Sequence, residues 1–294
     1  MIKTSVTLVL FIVVSGGVTL AQGFENLRNE INQLIEDKSA TVAVSIKGTD
    51  PEDTLSINGD RHMAMQSVFK LHISLFILDQ IDQGKLVLED TISVDKEMME
   101  TYSHLWSPLR KKYPEGVKVS LAEVIRKAVQ ISDNVACDLL FELVGGTEVV
   151  ELYLHNIGIN DIGIVHNELE MQKVWGRQYE NWTTANASNR LLEMIYKNKN
   201  KILSSKSHQF ILSTLKGTYT GRNSIRRFLP KETIIAHKTG HSGKNEDGLS
   251  AARNDIGIVF LPDGSHFYLS VFVGNSMESS EETEKIIADI AKLT

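Results

Sequence analysis

A serine and a lysine lie three positions apart, at Ser67 and Lys70, where an apolar stretch of the chain begins. If residues 68–81 form a helix, these two side chains share one face of it. A buried ammonium is costly, so its pKa falls readily, and an amine of lowered pKa can take the proton of a serine hydroxyl. Free N–H groups at the start of that helix could stabilise an oxyanion. The same pattern also fits a serine N-cap followed by a lysine that extends to solvent.

A second polar group, Ser132-Asp133-Asn134, lies between two predicted helices at residues 120–131 and 135–144. These residue types are preferred N-caps, so capping of the second helix is the simpler interpretation. In a catalytic site, Ser132 would transfer a proton and Asn134 would donate its amide to a substrate carbonyl. Asp133 would then be the residue that caps the helix.

A third group, Lys238-Thr239-Gly240, follows a predicted strand at residues 233–237. Lys238 and Thr239 can bind a carboxylate, and Gly240 permits a ligand to approach the backbone closely. A free N–H on the edge of the strand can donate to an oxyanion. A strand that simply ends in a polar turn would explain the same residues without chemistry.

Two carboxylates, Glu168 and Glu170, lie in residues 163–183, which carry no convincing periodicity and are predicted to form a long loop. Loops of this length in a compact domain are usually functional or disordered. If the loop folds over a cleft, one of the two carboxylates could orient a water molecule. The alternative is that both are solvated surface groups.

The remaining elements must position these groups. Both ends of the chain carry strand patterns, at residues 41–47, 54–57, 233–237, 255–261 and 267–273, and helices at 24–35 and after the Ser279/Glu282 capping box. We therefore expect an α/β protein of the α+β sandwich type, in which an antiparallel sheet flanked by helices carries an inserted all-helical subdomain. Residues 22–62 and 216–294 would form the sheet-bearing part and residues 63–215 the helical part, with a binding cleft between them.

The chain has 294 residues and a formal net charge of -6, which does not favour a nucleic-acid partner. Residues 1–21 combine a lysine, an apolar run and small residues at the end, a pattern typical of a signal peptide. A disordered or core-packed N-terminus is the alternative. We expect a secreted, periplasmic protein of residues 22–294 without a membrane anchor. Cys137 is predicted to be a buried, inert thiol, and the scattered histidines predict no metal site and no cofactor.

Together and in this order, the Ser67, Ser132 and Lys238 motifs resemble the set found in class A β-lactamases and penicillin-binding proteins. Residues 133–146, 179–183, 237–240 and 254–258 are similar to the PER-like and VEB-like extended-spectrum branch of class A. The resemblance extends over essentially all of residues 22–294. It implies the β-lactamase/transpeptidase-like fold and hydrolysis of the β-lactam amide bond of penicillins and cephalosporins, which confers antibiotic resistance.

The resemblance also implies a role for each site residue. Ser67 would be the acylated nucleophile, Lys70 its proton partner and Glu168 the base for deacylation, while the acylation base stays open between Lys70 and Glu168. Ser132 would transfer a proton to the leaving nitrogen, and Asn134 would bind the substrate amide. The N–H groups of Ser67 and His241 would form the oxyanion hole. Lys238 and Thr239, beside Gly240, would bind the substrate carboxylate, and Trp106 would line the cleft entrance.

Three features depart from the wider class A pattern. His166 and Asn181 stand where many class A enzymes place an Arg–Asp ion pair, so the loop must be held in another way. Gln172 replaces the asparagine that usually helps to hold the hydrolytic water. His241 follows Lys-Thr-Gly where this branch tends to carry a hydroxyl residue. Arg253 is a candidate second carboxylate anchor, with a solvated strand charge as the alternative.

Two other activities stay open at this point. A D,D-peptidase or transpeptidase would share Ser67 and Lys70 but would need no carboxylate that frees it from β-lactams. A non-catalytic β-lactam sensor would need a membrane segment to relay its state. We expect small-molecule β-lactams as the partners of this chain, and a monomer.

Overall fold

The computed structural model describes residues 16–50 and 52–294. The predicted leader, residues 1–21, lies outside the described residues except for 16–21, which form the first turns of helix α1 (Gly16–Ile35). Leader and cleavage therefore stay predictions. The strands are β1 (Thr41–Lys47), β2 (Thr54–Ile57), β3 (Met63–Ala64), β4 (Thr91–Val94), β5 (Val117–Ser120), β6 (Ile162–Gly163), β7 (Trp182–Thr183), β8 (Ile234–His241), β9 (Ser250–Phe260) and β10 (His266–Ser276).

The other helices are α2 (Phe69–Asp82), α3 (Lys96–Thr101), α4 (Pro108–Lys112), α5 (Leu121–Gln130), α6 (Asn134–Val144), α7 (Thr147–Asn156), α8 (Glu168–Lys173), α9 (Ala185–Lys197), α10 (Ser205–Lys216) and α11 (Ser280–Leu293). Two 3₁₀ turns, Gln66–Val68 and Trp175–Tyr179, complete the regular structure. In the described part of the chain no helix is both long enough and apolar enough to cross a membrane.

The two ends of the chain meet in one antiparallel sheet, as the sequence predicts. Its strand order is β2-β1-β10-β9-β8, which places β8 at an edge. Val42, Val44 and Ile46 of β1 pack into a core with the terminal helices α1 and α11. Ala43 points to the other face, where the helical part packs. Because both faces are covered, the three inner strands β1, β10 and β9 are buried along nearly their whole length.

Helix α2 lies at the centre of the helical part, in contact with α5, α6, α7 and α10. Its residues from Phe69 to Leu78 are buried on nearly all sides, apart from Phe76. A helix that is surrounded in this way needs no polar face, and this explains its continuous apolar sequence. The start of α2 reaches the sheet, so the residues at that end can meet those of β8 and β9.

The structure differs from the sequence-based expectation in several elements. Strand β8 continues to His241, so Lys238, Thr239 and Gly240 lie within the strand and not in a turn after it. Residues 163–183 are not a plain loop, because they contain β6, α8, a 3₁₀ turn and β7. Helix α8 has only six residues, too few to show a helical period in the sequence. At α11, Ser279 accepts from the N–H of Glu282 as predicted, but the Glu282 carboxylate binds Lys38 at 2.6 Å instead of completing a capping box.

Candidate active site

Ser67 lies in the tight turn that leads into α2. The preceding residue, Gln66, has φ 47°, a left-handed backbone conformation that is strained for a residue with a side chain. The turn is held from outside: Gln66 donates to the buried Gln178 at 2.7 Å, and the Asn254 amide of β9 donates to the Met65 carbonyl at 3.2 Å. These contacts fix the direction in which the Ser67 hydroxyl leaves the turn.

The Ser67 hydroxyl, the Lys70 ammonium and the Glu168 carboxylate lie in mutual contact. Lys70 Nζ is 2.6 Å from Ser67 Oγ and 2.5 Å from Glu168 Oε1, and Ser67 Oγ is 3.2 Å from the same oxygen. Lys70 Nζ also lies 2.7 Å from Asn134 Oδ1 and, at a longer 3.3 Å, from the main-chain carbonyl of Ser132. Lys70 is fully buried, so it does not extend to solvent, and its charge is balanced by the ion pair. Proton transfer among the three groups needs no movement of the chain.

Glu168 and Glu170 have different surroundings, although both lie on α8. Asp138 of α6 accepts from the main-chain N–H groups of Glu168 at 2.8 Å and Leu169 at 2.9 Å, which fastens the start of α8 beside Lys70. Burial, and then the charge of Glu168, raise the pKa of Asp138 to about 7. Glu170, by contrast, pairs at the surface with Lys173 and Arg177. Only Glu168 reaches the nucleophile.

The neck of the loop that carries α8 is closed by Asn181, not by an ion pair. Its amide oxygen accepts from the N–H groups of Val165 and His166, both at 2.9 Å, and its amide nitrogen donates to the His166 carbonyl at 2.7 Å. The His166 ring lies 2.9 Å from the exposed carboxylate of Glu180. As the sequence predicts, the loop is held in another way than by an Arg–Asp pair: hydrogen bonds join a buried side chain to the backbone.

In the Ser132-Asp133-Asn134 group, Asp133 is the helix cap, as expected. Its carboxylate accepts from the N–H groups of Ala136 and Leu109 and from the Ser107 hydroxyl. Ser132 is therefore not needed as a cap, and its φ of 56° directs it into the cleft, where its hydroxyl accepts from Lys238 Nζ at 2.9 Å. Asn134 uses its carbonyl oxygen for Lys70, which leaves its NH₂ group for a ligand.

Strand β8 presents Lys238, Thr239, Gly240 and His241 along its free edge. The His237 carbonyl accepts from Thr218, so the main-chain groups of His237 point away from β9. In an antiparallel pair the main-chain groups of every second residue point to the same side, so the N–H of His241 also points away from β9. A Cβ on Gly240 would lie 2.5 Å from the Met65 carbonyl, so only glycine allows β8 to lie this close to the nucleophile turn. The Thr239 hydroxyl meets that of Thr220 at 2.7 Å.

Arg253 is not a solvated strand charge. It lies beside β8 on β9, with one guanidinium nitrogen 3.2 Å from Glu284 of α11 and another 3.3 Å from His241 Nε2. Loss of hydration and the Arg253 charge lower the pKa of His241 to about 4, so this ring is neutral near pH 7. A ligand in the cavity would therefore contact His241 as a neutral ring and Arg253 as a cation whose charge is partly balanced by Glu284.

These groups line one cavity of about 280 Å³ at the junction of the two parts. Of the residues predicted from the sequence, it is lined by Ser67, Trp106, Ser132, Asn134, Thr239, Gly240, His241 and Arg253. Lys70, Lys238 and Glu168 lie buried just behind it, and Gln172 lies half-buried on α8, outside its lining. A larger, more open groove of about 680 Å³ lies between α3 and α6, but neither of the hydroxyl residues that line it, Ser93 and Thr101, is hydrogen-bonded to a carboxylate of the described residues.

The sequence did not single out five further lining residues. Thr220, Gly221 and Ser224 come from the connection between α10 and β8, Asn254 from β9 and Glu284 from α11. The connection has no periodic pattern in the sequence that would mark its residues. Glu284 occupies an ordinary polar position of an amphipathic helix, so nothing in the sequence distinguishes it from its neighbours. Asn254 belongs to residues 254–258, which stand out in the sequence only by their resemblance to class A enzymes, and the polar Asn-Asp step within a strand is the one available signal.

Comparison with known proteins agrees with this geometry. Residues 26–294 match the model of the β-lactamase enzyme family. The chain belongs to this family. It is 43% identical over 270 residues to β-lactamase VEB-1 of Pseudomonas aeruginosa, covering 92% of this chain and 89% of the relative. Extended-spectrum β-lactamase PER-1 of the same organism is 39% identical over 267 residues, covering 90% and 85%.

Among solved structures, a β-lactamase from Chitinophaga pinensis superposes with a TM-score of 0.87 at 41% identity, covering 91% of this chain and 97% of that one. The class A fold and the likeness to the VEB-like and PER-like branch are thereby confirmed. The chain is a serine β-lactamase. This assignment also decides against the D,D-peptidase and sensor alternatives as the main activity.

Proposed function

We propose that the protein hydrolyses penicillins and cephalosporins through an ester formed at Ser67, and that Glu168 is the base in both halves of the reaction. The observation that carries this proposal is the buried contact of Ser67, Lys70 and Glu168. An ammonium has three donors and no acceptor. The shortest contacts of Lys70 Nζ are with Ser67 Oγ, Asn134 Oδ1 and Glu168 Oε1, all acceptors, so as an ammonium it cannot take the serine proton. The 3.2 Å contact with Glu168 supports the carboxylate as the acceptor.

In acylation, Ser67 Oγ attacks the lactam carbonyl carbon while its proton passes to Glu168. The developing oxyanion is stabilised by the N–H groups of Ser67 and His241. When the C–N bond breaks, the lactam nitrogen takes a proton from the Ser132 hydroxyl, which is replenished from the Lys238 ammonium 2.9 Å away. The products of this half-reaction are the opened ring and a Ser67 ester.

Before deacylation, Glu168 gives up the serine proton and Lys238 takes up a proton by exchange with solvent, so that Glu168 is again a carboxylate. A water molecule then attacks the ester carbonyl and gives its proton to Glu168, which passes it on to Ser67 Oγ when that oxygen leaves. The second tetrahedral intermediate collapses, Ser67 Oγ leaves and regains a proton, and the acid product departs. Gln172 would contact this water from α8 in place of the usual asparagine. The anchoring of α8 through Asp138 supports this step, because a general base must keep hydrogen-bonding distance to its water.

The substrate would be held by groups of both parts of the molecule. Asn134 would bind its side-chain amide, Lys238 and Thr239 its carboxylate with Arg253 as a second anchor, and Trp106 would cover the entrance, where its ring is exposed. Export to the periplasm, a monomeric state and an extended spectrum including cephalosporins belong to the same proposal, supported by the likeness to VEB-1 and PER-1. A periplasmic β-lactamase would confer antibiotic resistance.

The test is Glu168→Ala compared with Glu170→Gln, which alters a surface carboxylate of the same helix. Lys70 still lies 2.6 Å from Ser67 Oγ in this variant, so acylation continues, while deacylation slows by about 10²-fold or more because the carboxylate that directs the water is gone. Mass spectrometry of Glu168→Ala mixed with a cephalosporin should then show a covalent adduct at Ser67, and Glu170→Gln should show none at the same time point. Wild-type turnover by Glu168→Ala would refute the role of Glu168.

A further inference from the structure

A carboxylate, that of Glu284 on α11, lines the cavity in which the substrate carboxylate is proposed to bind. Of the described residues that form this lining, Glu284 and Arg253 are the two that are charged near pH 7, because the pKa of His241 is lowered to about 4. The mechanism above gives Glu284 no part. A negative charge at this place repels the substrate carboxylate, so Glu284 weakens binding unless the substrate brings a compensating charge.

Glu284 lies on the same face of the sheet as two of the residues proposed to hold the substrate carboxylate. Side chains two positions apart on a strand share a face, so Thr239 and His241 point to one side of β8. Arg253 stands opposite His241 in the register of β8 and β9, and residues opposite one another also share a face. The Arg253 guanidinium lies 3.2 Å from Glu284 Oε1 and 3.3 Å from His241 Nε2. Glu284 is therefore one guanidinium away from the end of the carboxylate site.

The ion pair with Arg253 leaves part of the Glu284 charge available. The Glu284 side chain is 21% exposed, and its second oxygen accepts from the amide of Asn223 at 3.2 Å, a neutral group at the surface. A carboxylate has about four lone-pair sites, so Glu284 can still bind a further cation. When Arg253 turns toward a substrate carboxylate, Glu284 also loses part of its counter-charge.

The lysines near the cavity do not balance Glu284. Lys70 is paired with Glu168 behind the cavity. Lys238 is also buried behind it and donates to Ser132 of the helical part. Because neighbouring residues of a strand point to opposite faces, Lys238 leaves β8 on the side away from Glu284. A further positive charge beside Glu284 can therefore come from the ligand.

The chemistry of cephalosporins can supply such a charge at the right place. Their carboxylate is on ring atom C4, and the neighbouring ring atom C3 carries a variable substituent. A substrate whose carboxylate contacts Thr239 and Arg253 thus places its C3 substituent beside the same two residues, close to Glu284. A quaternary ammonium on that substituent is a permanent cation, and because it has no N–H it can approach a carboxylate from any direction.

We propose that Glu284 is a specificity-determining residue, which favours cephalosporins with a permanent positive charge on the C3 substituent over those with an uncharged one. The inference rests on the proposed hydrolysis of cephalosporins and on the proposed carboxylate site at Lys238 and Thr239. It concerns the affinity for the intact substrate and assigns Glu284 no role in the chemical steps at Ser67.

The test compares two cephalosporins that have the same C7 side chain and differ at C3, where one carries an N-methylpyrrolidinium group and the other its uncharged carbon analogue, a methylcyclopentyl group. The measured quantity is kcat/KM for the charged compound divided by kcat/KM for the uncharged one. Glu284→Gln keeps the size of the side chain and an acceptor for Arg253 but removes the charge. The ratio should fall by about fivefold, as expected for one ion contact near the surface. The change should be in KM more than in kcat, because the attraction is the same before and during ring opening.

Glu281→Gln is the matched control, since it removes a carboxylate of the same helix that is 79% exposed and pairs with Arg227 outside the cavity lining. It should leave the ratio unchanged. Arg253→Met gives an independent result of opposite sign and tests the inference even if Glu284→Gln does not fold. Without Arg253 the Glu284 charge is uncompensated, so the ratio should rise by about fivefold, while kcat/KM falls for both compounds.

A ratio that is the same in wild type and in folded Glu284→Gln, or that falls in Arg253→Met, would overturn the inference. An equal fall in Glu281→Gln would also overturn it, because the charge of the helix as a whole would then set the preference. If the wild type hydrolysed neither compound, the proposed function itself would fail. Hydrolysis of both compounds with a ratio that neither substitution changes would refute the role of Glu284 alone.

Discussion

The neck of the α8 loop offers the sharpest test of how this protein holds its deacylating base. In many class A enzymes the loop is expected to be closed by an ion pair, but here Asn181 makes three hydrogen bonds to the backbone of Val165 and His166. Asn181→Ala would leave three backbone groups unpaired at a site where the side chain is fully buried. At roughly 1 kcal/mol for each bond, the loss is about 3 kcal/mol, a large share of the stability of an ordinary domain.

The loss should appear both in stability and in kinetics. Urea unfolding followed by circular dichroism should give a free energy of unfolding lower by about 3 kcal/mol, unless the loop detaches first and the change is smaller. In either case Glu168 loses its position, so kcat should fall and the Ser67 ester should accumulate in rapid-quench samples. The main-chain carbonyl of Asn181 accepts from the N–H of Met65, so the turn before Ser67 is linked to the neck of the α8 loop.

Two companion variants separate the backbone bonds from charge. His166→Ala removes only the contact with the exposed Glu180, which should cost less than about 1 kcal/mol and leave kcat near the wild-type value. Asn181→Asp keeps both acceptor functions but places a carboxylate oxygen against the His166 carbonyl, so it should resemble Asn181→Ala. If Asn181→Ala had wild-type stability and kcat while His166→Ala was impaired, the ion pair would hold the neck and this reasoning would be wrong.

Three further predictions concern the cavity and its support. The pKa of Asp138 is raised in the folded protein to about 7, so the contribution of Asp138 to stability is greatest at low pH and declines as the pH rises from about 4 through 7. In thermal unfolding, Asp138→Asn should therefore make the melting temperature depend less on pH over this range. The same pH dependence in Asp138→Asn and wild type would contradict this prediction. Gly240→Ala should lower kcat/KM by about tenfold or more, because its Cβ would meet the Met65 carbonyl at 2.5 Å. Gly176→Ala is the control and should leave kcat/KM unchanged, because a Cβ at Gly176 would have no heavy atom within 4 Å. His241→Thr should change kcat/KM but not the shape of the pH profile above about pH 5, because the pKa of His241 is lowered to about 4; an acid limb that moves in this variant would show that the ring titrates there.

The parts of the site that the sequence predicts are those in which local pattern and chemistry coincide. Ser67 and Lys70 share a helix face, and Asp133 is both a preferred cap and the actual cap of α6. The antiparallel sheet follows from alternating strands at the two ends of the chain. Each of these inferences needs only a few neighbouring residues.

What the sequence does not predict depends on contacts between distant segments. In the sequence, Asp138 is a polar residue within an otherwise apolar helix, and nothing there indicates its partners. Only the folded chain shows that it accepts from the N–H groups at the start of α8. Thr220 and Gly221 enter the cavity because the α10–β8 connection packs against the edge of β8, which no local pattern encodes. The same holds for Glu284, whose partner Arg253 lies on a different element.

The charges around the cavity suggest how the site distinguishes substrate from its own carboxylates. Lys70 is paired with Glu168 at 2.5 Å and Arg253 with Glu284 at 3.2 Å, so each has lost much of its attraction for another anion. Lys238 is the buried cation in the described part of the site that has no direct ion partner. Because an uncompensated charge in a low-dielectric site attracts an anion most strongly, the substrate carboxylate should bind at Lys238 and Thr239 first. Arg253 would then add to affinity mainly where Glu284 can turn away, so Glu284→Gln should lower KM for anionic substrates without raising kcat, and an unchanged KM would show that Arg253 does not reach the substrate.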